Sequence, residues 1–250
     1  RSLPLATLCL CLPLPVLAGT VCWETKTIPN DLRTAPKTGG PAAQSADEYY
    51  VARVANPGAN LRFLKGPLDW DEAKSRGLLV ANGTFFETDS LFPLGDMVVD
   101  GRRVHELKEP VLHKPNRRIV DLRERWGVAV SLPRKRRGLR KRAASQPGKA
   151  RVSRARGGDF KDMAQYLGGG GLLLKDGDPQ VWKTNGWMPD IPGPSFPWPT
   201  LTQTTARTAL GIAANGNVLL LHVPAWPQSR GLSVEKLAEL MRREGAQDAV

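Results

Sequence analysis

The clearest structural pattern in the sequence is the run Ala206-Arg207-Thr208-Ala209-Leu210-Gly211-Ile212, followed by Asn215-Gly216 and by Val218-Leu219-Leu220-Leu221. An Asn-Gly pair between two apolar runs is typical of a β-hairpin, because both residues tolerate the positive φ that a type I′ turn requires twice. We therefore predict two antiparallel strands joined by a type I′ turn at Asn215-Gly216.

An amphipathic helix is predicted after this hairpin. Apolar residues recur at helical spacing between residues 237 and 241 and define one face. Ser233 is suited to cap the first turn, and Gly245 is suited to end the last one. Residues 248–250 are typical of the start of another strand, and we expect this strand to continue beyond the sequence given.

Short apolar segments bounded by turn residues predict further strands upstream. Few segments have helical periodicity, and strands do not alternate regularly with helices. The sequence therefore predicts an α+β fold in which a twisted, mostly antiparallel sheet packs against a few helices. The predicted strands are residues 49–54, 78–81, 126–130 and 172–174, with hairpin turns at Asp100-Gly101 and Asp176-Gly177 and a short helix at 159–167.

Four motifs, in this order along the chain, resemble those of the phosphodiester glycosidase family, which includes bacterial proteins associated with exopolysaccharides. The resemblance covers about residues 49–250 and implies a phosphodiester glycosidase-like α+β fold. It also implies hydrolysis of a sugar-1-phosphodiester at the glycosidic C1–O bond. The motifs are Asn82-Gly83-Thr84-Phe85-Phe86, the segment from Pro93-Leu94-Gly95 to Asp100-Gly101, Gly169-Gly170-Gly171-Leu172-Leu173-Leu174, and the hairpin from Arg207 with Ser229-Arg230-Gly231-Leu232.

Arg207 and Asn82 are the catalytic residues that this resemblance implies. Arg207 is the one charged residue between positions 206 and 221, and a guanidinium can hold a phosphate through two parallel hydrogen bonds. The amide of Asn82 can bind a sugar hydroxyl or a phosphate oxygen. The residues alone leave two alternatives open, namely a strand-edge arginine in water and an ordinary turn at Asn82-Gly83.

Five further residues are predicted to bind substrate. A glycine lets a ligand approach the backbone closely, and the four glycines at 168–171 precede a predicted strand rather than a helix. That context excludes a nucleotide phosphate loop, whose glycines open a helix, and leaves sugar or phosphate contact or a flexible connector. The predicted substrate-binding residues are Gly83, Gly95, Gly169, Gly170 and Ser229.

A catalytic carboxylate is harder to assign. Glycoside cleavage normally uses a carboxylate to stabilise or trap an oxocarbenium-like centre. The resemblance implies an Asp-Gly-Gly segment after residue 250, so we expect the catalytic carboxylate there. Where the family usually has Asp-Gly, this chain has His222-Val223, which is a departure. Glu87, Asp89 and Asp96 lie near Asn82 in sequence and are the carboxylates that the chain itself offers, but we interpret each as a solvated loop residue.

The first 46 residues indicate export. Residues 3–18 are apolar but interrupted by prolines, and residues 16–18 fit a cleavage site. We interpret residues 1–20 as a signal peptide with a clipped start, rather than a membrane anchor, and residues 21–46 as a linker. After cleavage, Cys22 remains as a single cysteine and no membrane-spanning segment is expected. The expected location is secreted, periplasmic or in the cell envelope, with the domain at residues 47–250.

The positive charge is concentrated in one segment. The formal net charge is +12, and residues 134–156 hold eleven basic and no acidic residues, so the rest of the chain carries about +1. With almost no apolar residues, this segment is predicted to be an exposed, disordered insertion in the domain. Its expected partner is an anionic polymer, without specific nucleic acid recognition.

Neither a metal nor another cofactor is expected, because the three histidines lack the spacing of a metal site. The favoured hypothesis is therefore a phosphodiester glycosidase that acts on a carbohydrate or sugar-phosphate substrate. Two alternatives remain from other classes. One is a non-catalytic domain that binds glycans or sugar phosphates, and the other is a protein that binds polyanions through residues 134–156.

Overall fold

The computed structural model describes residues 9–13, 21–33, 47–64, 70–75, 78–82, 95–105, 111–113, 118–120, 126–131, 148–154, 160–181, 204–224 and 231–250. The chain forms two units. The first combines Arg1–Val21 with Val54–Gly170, and the second combines Cys22–Arg53 with Gly171–Val250. Both consist mainly of antiparallel strands with few helices, which confirms the predicted α+β class.

The elements follow one another along the chain as short strands with three α-helices and one 3₁₀ helix among the described residues. In chain order they are β1 (Cys9–Pro13), β2 (Val21–Thr27), the 3₁₀ helix (Asn30–Leu32), β3 (Glu48–Val54), α1 (Pro57–Asn60), β4 (Arg62–Phe63), α2 (Trp70–Ser75), β5 (Leu78–Asn82), β6 (Met97–Val99), β7 (Arg102–His105), β8 (Val111–His113), β9 (Arg118–Val120), β10 (Trp126–Ser131), β11 (Ala150–Arg154), β12 (Met163–Gly170), β13 (Leu174–Lys175), β14 (Asp178–Pro179), β15 (Arg207–Ala213), β16 (Val218–Val223), α3 (Val234–Arg243) and β17 (Ala246–Ala249).

The second unit contains a seven-stranded sheet with the order β14-β13-β17-β15-β16-β3-β2. The predicted hairpin is its β15–β16 pair, in which Arg207 lies opposite Val223 and Ile212 opposite Val218. The predicted turn type is wrong, because Gly216 has a positive φ of 82° but Asn215 does not. Ala213 N donates to the Asn217 carbonyl at 2.9 Å and Gly216 N to the Ala213 carbonyl at 2.8 Å, so three loop residues rather than two separate Ala213 from Asn217.

The predicted helix is α3, and its apolar face covers the sheet of the second unit. Ser233 caps it as expected, since the side chain accepts a hydrogen bond from the Lys236 backbone at 3.3 Å. Burial of each large apolar side chain on this face contributes roughly 2 kcal/mol. The core that α3 shares with the strands includes Tyr49, Val51, Ala209, Leu219, Leu221, Val223, Leu237, Leu240, Met241, Ala246 and Ala249.

Residues 21–33 are not part of a linker, which corrects the interpretation of residues 21–46. They form β2 and the 3₁₀ helix, and Ile28 and Leu32 are buried in the core of the second unit. Two anchoring residues four positions apart give no recognisable periodicity, so the sequence pattern did not reveal them. Charged partners add to the anchoring, because Arg243 binds Asp31 and Lys236 donates to the Arg33 carbonyl at 2.8 Å.

A charged network joins this N-terminal segment to the end of α3. The carboxylate of Glu244 accepts hydrogen bonds from Lys26 at 2.9 Å and from the Tyr49 hydroxyl at 2.6 Å, and it also binds Arg53. Glu24 contacts both cations, at 3.4 and 3.6 Å. Burial, followed by the Glu244 hydrogen bond, raises the pKa of Tyr49, so its hydroxyl stays protonated and keeps donating.

The first unit contains a five-stranded sheet with the order β11-β10-β12-β6-β7. The predicted hairpin turn at Asp100-Gly101 joins β6 and β7, and the φ values of 48° and 75° are those of a type I′ turn. The helix predicted at 159–167 is wrong, because Met163–Gly170 is the strand β12. This strand pairs with β10 on one side and β6 on the other, and pairing on both sides outweighs local propensity.

Part of the basic segment is ordered, which corrects the prediction of a disordered insertion at 134–156. Ala150–Arg154 is the edge strand β11, with Val152 buried opposite Val128, while Lys149 and Arg151 are exposed. Alternation of one buried apolar residue with exposed basic ones suits an edge strand. Residues 134–147 and 155–156 lie outside the described residues.

The predicted signal peptide also contains a strand. Cys9–Pro13 pairs with both β4 and β5 in a three-stranded sheet, where Leu10 lies opposite Phe63 and Ala81. An apolar run of this length suits a central strand as well as a signal sequence, and cleavage stays a prediction. In the described ranges, no helix is long and apolar enough to cross a bilayer.

We predict that Glu244→Gln lowers the free energy of unfolding at pH 7. The Glu244 side chain is 7% exposed, but its partners Lys26 and Arg53 are 34% and 31% exposed and regain hydration when the carboxylate is lost. The expected loss is therefore about 1–3 kcal/mol, below the cost of stranding fully buried charges. Chemical denaturation followed by circular dichroism measures it.

The matched control is Glu239→Gln on the same helix, where surface ion pairs to Arg242 and Arg243 are worth less than about 1 kcal/mol. Burial raises the pKa of Glu244, but bonds from Tyr49 and Lys26 outweigh it, so the folded pKa lies below the ordinary 4.5. The stabilisation is thus complete above that value and declines as the pH falls through the folded pKa. A difference between wild type and Glu244→Gln that does not decrease as the pH is lowered below 4.5 would contradict this account.

Candidate functional site

Arg207 is buried at the first residue of β15. It is 7% exposed, which excludes a strand-edge arginine in water. Its Nε donates to the backbone carbonyl of Leu232 at 3.0 Å, immediately before α3 begins. This hydrogen bond fixes the plane of the guanidinium relative to the helix entry, which is the rigidity that bidentate binding of an anion requires.

Burial also changes the electrostatics of this side chain. Desolvation lowers the pKa of Arg207 to about 10, because burial disfavours the charged form. The group is still protonated at neutral pH, so the second unit keeps a positive charge in a partly desolvated position. Attraction to an anion is stronger there than at the surface, where water and salt screen it.

Gly231 brings the helix entry against the strand that carries Arg207. Thr205 and Leu232 form a β-bridge, in which Leu232 N donates to the Thr205 carbonyl at 3.1 Å. Gly231 has a φ of 71°, and a Cβ atom there would lie 2.2 Å from the Thr205 oxygen. The structure therefore unites two parts of the fourth motif, although Ser229 lies outside the described residues.

A polar pair lies on the opposite face of the same strand. Thr208 is opposite His222 in the β15–β16 ladder, and Thr208 Oγ1 is 3.0 Å from His222 Nδ1. The imidazole stacks on Tyr50 with ring centroids 6.3 Å apart. Burial lowers the pKa of His222, and a hydrogen bond with the Arg207 backbone partly offsets this. The sequence analysis noted His222 only because it stands where the family usually has Asp-Gly, and it did not single out Thr208.

In the first unit, the structure joins the second and third motifs. Gly168 N donates to the carbonyl of Asp96 at 2.9 Å, so Gly95 and the glycine run lie side by side. In the β10–β12 ladder, Trp126 is opposite Gly170 but Gly127 is opposite Gly168. Gly169 is thus the extra residue of a β-bulge, a feature that is frequent next to active sites.

Trp126 adds an unusual feature at the same bulge. Its indole Nε1 is buried, and no described residue accepts a hydrogen bond from it. Buried donors normally have an acceptor, so this atom distinguishes Trp126 from other residues of the sheet. No sequence pattern indicated this buried donor, because the strand pattern at residues 126–130 predicted only a strand.

Asp96 is not a solvated loop residue, which corrects its interpretation. It is 8% exposed, and Arg103 Nη2 donates to its carboxylate at 2.8 Å while the guanidinium lies 4.5 Å from the centre of the Phe160 ring. The register of the β6–β7 hairpin could have indicated this ion pair. Arg103 lies opposite Val98, which places it diagonal to Asp96 on the same face. Glu87 and Asp89 lie outside the described residues.

The remaining predicted residues fall in the first unit. Asn82 is the last residue of β5, opposite Cys9, as expected for a residue delivered at a strand end. Gly83 lies outside the described residues. Asn82, Gly95, Gly169 and Gly170 thus belong to the first unit and Arg207 to the second, and a common pocket stays a prediction. Across the described parts of the chain, no cluster of three or more metal-ligating side chains occurs.

Comparisons with known proteins agree with the motifs and the fold. A family model described as phosphodiester glycosidase matches residues 76–250. The catalytic domain of zebrafish N-acetylglucosamine-1-phosphodiester alpha-N-acetylglucosaminidase, auto-inhibited by its pro-peptide, aligns with a TM-score of 0.54 and 16% identity over 92% of this chain and 74% of that chain. A hypothetical protein from Synechocystis aligns with a TM-score of 0.47 and 15% identity over 92% of this chain and 56% of that chain. Comparison with curated protein sequences gives no match.

We predict that Gly231→Ala destabilises the second unit far more than Gly216→Ala. Both positions have positive φ, which costs a non-glycine residue roughly 1–2 kcal/mol. At Gly216 a new Cβ meets nothing within 4 Å, whereas at Gly231 it meets the Thr205 backbone. Chemical denaturation of both variants separates backbone strain from the clash, and equal losses would show that the Thr205 contact is unimportant.

Proposed function

Because the chain belongs to the phosphodiester glycosidase family, we propose that it hydrolyses a sugar-1-phosphodiester. Water adds to C1 of the sugar, the bond from C1 to the phosphate oxygen breaks, and a free sugar and a phosphomonoester are released. The name of the zebrafish protein describes such a reaction, with N-acetylglucosamine as the sugar. Its similarity in fold supports the proposal for this chain.

The observation that carries the proposal is the burial of Arg207 with its Nε bound to Leu232. Breaking the C1–O bond leaves additional negative charge on the departing phosphate. A guanidinium held at a fixed orientation in a desolvated position can stabilise that charge without reorganising during the reaction. The proposed role of Arg207 is therefore to bind the phosphate and stabilise it as it departs.

The glycine-rich strand end of the first unit is also proposed to bind substrate. Gly169 is the extra residue between the Gly127–Gly168 and Trp126–Gly170 pairs, and Gly95 precedes Asp96, whose carbonyl accepts a hydrogen bond from Gly168 N. A bulge without side chains allows a sugar or phosphate to approach the backbone N–H groups. Asn82 is proposed to bind a sugar hydroxyl or a phosphate oxygen through its amide.

The proposed location is outside the cytoplasm, in the secreted fraction or the cell envelope. The apolar segment before residue 18 supports export, and the carbohydrate substrate class of the family is compatible with polysaccharide metabolism there. Expression of the full chain in a bacterial host, with N-terminal sequencing of the exported protein, tests this proposal. An N-terminus near residue 19 would support it, and retention of residues 9–13 in exported protein would contradict it.

For Arg207→Met we predict a fall in kcat on a sugar-1-phosphodiester of about a hundredfold, which corresponds to about 3 kcal/mol of transition-state stabilisation. Binding of the free sugar should change much less, because the lost charge acts on the phosphate. Arg207→Lys should recover only part of the rate, since an ammonium lacks the planar fork. Steady-state kinetics and calorimetric titration of the sugar measure the two effects.

Arg242→Met is the matched control, because Arg242 is exposed on α3 and its loss should leave the rate unchanged. A rate for Arg207→Met equal to that of the wild type would eliminate Arg207 from the mechanism. If the wild type binds sugar phosphates but never cleaves them, the chain is a glycan-binding member of the family instead.

An anionic polymer is proposed as a separate partner of the basic segment. Arg151 is exposed on the edge strand β11, and Lys149 is exposed just before it. Both belong to residues 134–156, the segment with the highest density of positive charge in the sequence. We predict that the double variant Lys149→Glu/Arg151→Glu elutes from a heparin column at a lower salt concentration, because fewer counterions are released on binding. Lys175→Glu in the second unit is the control.

A further inference from the structure

We propose that Thr208 and His222 act as a positioning pair that holds Arg207 in its phosphate-binding orientation. The expected effect on kcat rests on the proposed function. The effect on the orientation of the Arg207 guanidinium can be measured without any enzymatic turnover. Both side chains lie on the face of the sheet opposite to the Arg207 side chain, so neither is proposed to contact the reacting atoms.

The end of the β15–β16 ladder is the weak point that this pair reinforces. Arg207 and Val223 form its last pair, and Val223 is followed by Pro224, which has no N–H to continue the ladder. Strand ends open more readily than strand centres. A guanidinium at such a position loses its fixed plane whenever the last pair opens, unless the strand is held by other contacts.

Contacts on both faces of β15 meet this requirement. On the face towards α3, Arg207 Nε is bound to the Leu232 carbonyl. On the other face, Thr208 Oγ1 lies 3.0 Å from His222 Nδ1, so this pair holds β15 against β16 next to Arg207. Stacking of the imidazole on Tyr50 of the neighbouring strand β3 restricts rotation of the ring.

The same geometry excludes a direct catalytic role of His222 beside Arg207. Successive residues of a strand point to opposite faces, so Arg207 and Thr208 point in opposite directions. His222 lies directly opposite Thr208 and shares its face. Any effect of His222 on a phosphate bound by Arg207 is therefore transmitted through the backbone of β15, which makes it a positioning residue.

The experiment compares Thr208→Val, Thr208→Ser and His222→Phe in the full chain. Valine keeps the β-branched shape and removes the hydroxyl, serine keeps the hydroxyl, and phenylalanine keeps the ring against Tyr50 and removes both nitrogens. NMR of ¹⁵N-arginine-labelled protein measures solvent exchange of the Arg207 Nε–H. Loss of one hydrogen bond should accelerate this exchange about five- to tenfold in Thr208→Val and His222→Phe, with Thr208→Ser close to the wild type.

The expected fall in kcat is of the same order as the expected acceleration of Nε–H exchange. The kcat for a sugar-1-phosphodiester should fall about fivefold in Thr208→Val and His222→Phe, while KM changes less than about twofold. Thr25→Val on the exposed strand β2 is the matched control and should change neither readout. Circular dichroism confirms that each variant is folded, and His222→Phe replaces Thr208→Val if the latter does not fold.

The outcomes separate this inference from the proposed function. If the wild type hydrolyses nothing, the proposed function fails, and faster Nε–H exchange with weaker binding of inorganic phosphate in Thr208→Val still supports the positioning pair. If hydrolysis occurs but Thr208→Val and His222→Phe match the wild type in exchange and kcat, the positioning pair is disproved and the proposed function stands. The positioning pair would also be disproved if Thr208→Ser and Thr208→Val accelerated Nε–H exchange and lowered kcat to the same extent.

Discussion

The apolar face of α3, buried against the seven-stranded sheet, is the contact on which the second unit depends. Both ends of that helix are tied to distant parts of the chain. At its start, Leu232 forms a β-bridge with Thr205, and at its end Glu244 binds Lys26 and Tyr49. Because Arg207 is bonded to Leu232, the packing of the helix also determines where the guanidinium lies.

Buried polar groups in both units are compensated by partners from other elements. Arg207 uses a backbone carbonyl, Asp96 uses Arg103, and Gln165 of β12 links the Phe63 backbone to Asp100 at 3.2 and 2.8 Å. Such bonds cost less than leaving a buried group unsatisfied, and they specify register because only one alignment satisfies them. Trp126 Nε1 differs from this pattern within the described residues, and it lies at the bulge of Gly169.

Local signals explain which parts of the fold the sequence predicts. Asn215-Gly216, Asp100-Gly101 and Asp176-Gly177 all lie at hairpin turns, and Ser233 caps α3, because turn and cap chemistry depends on a few adjacent residues. The failures concern pairing with distant partners. Residues 163–170 became a strand between β10 and β6, which no local pattern could indicate.

For the candidate site, too, local features could be predicted from the sequence, whereas contacts with distant residues could not. The motif at Arg207 predicted a strand beginning there, and the structure shows it. The hydrogen bond from Gly168 to Asp96, next to Gly95, was not predicted. The sequence could not reveal that Arg207 is buried, because burial depends on α3 and its entry from residue 231 onward. Thr208 attracted no notice since a threonine in a strand is ordinary, and only the register opposite His222 gives it a partner.

The position of β3 has a practical consequence for producing fragments of this protein. The match to the family model begins at residue 76, but Glu48–Val54 lies between β16 and β2 in the sheet, with Tyr49 and Val51 in the core. The limit of recognisable homology is therefore not the limit of the folding unit. A fragment cut at residue 76 would expose β16 as a new hydrophobic sheet edge, which is a surface that invites aggregation, so expression should start before β2.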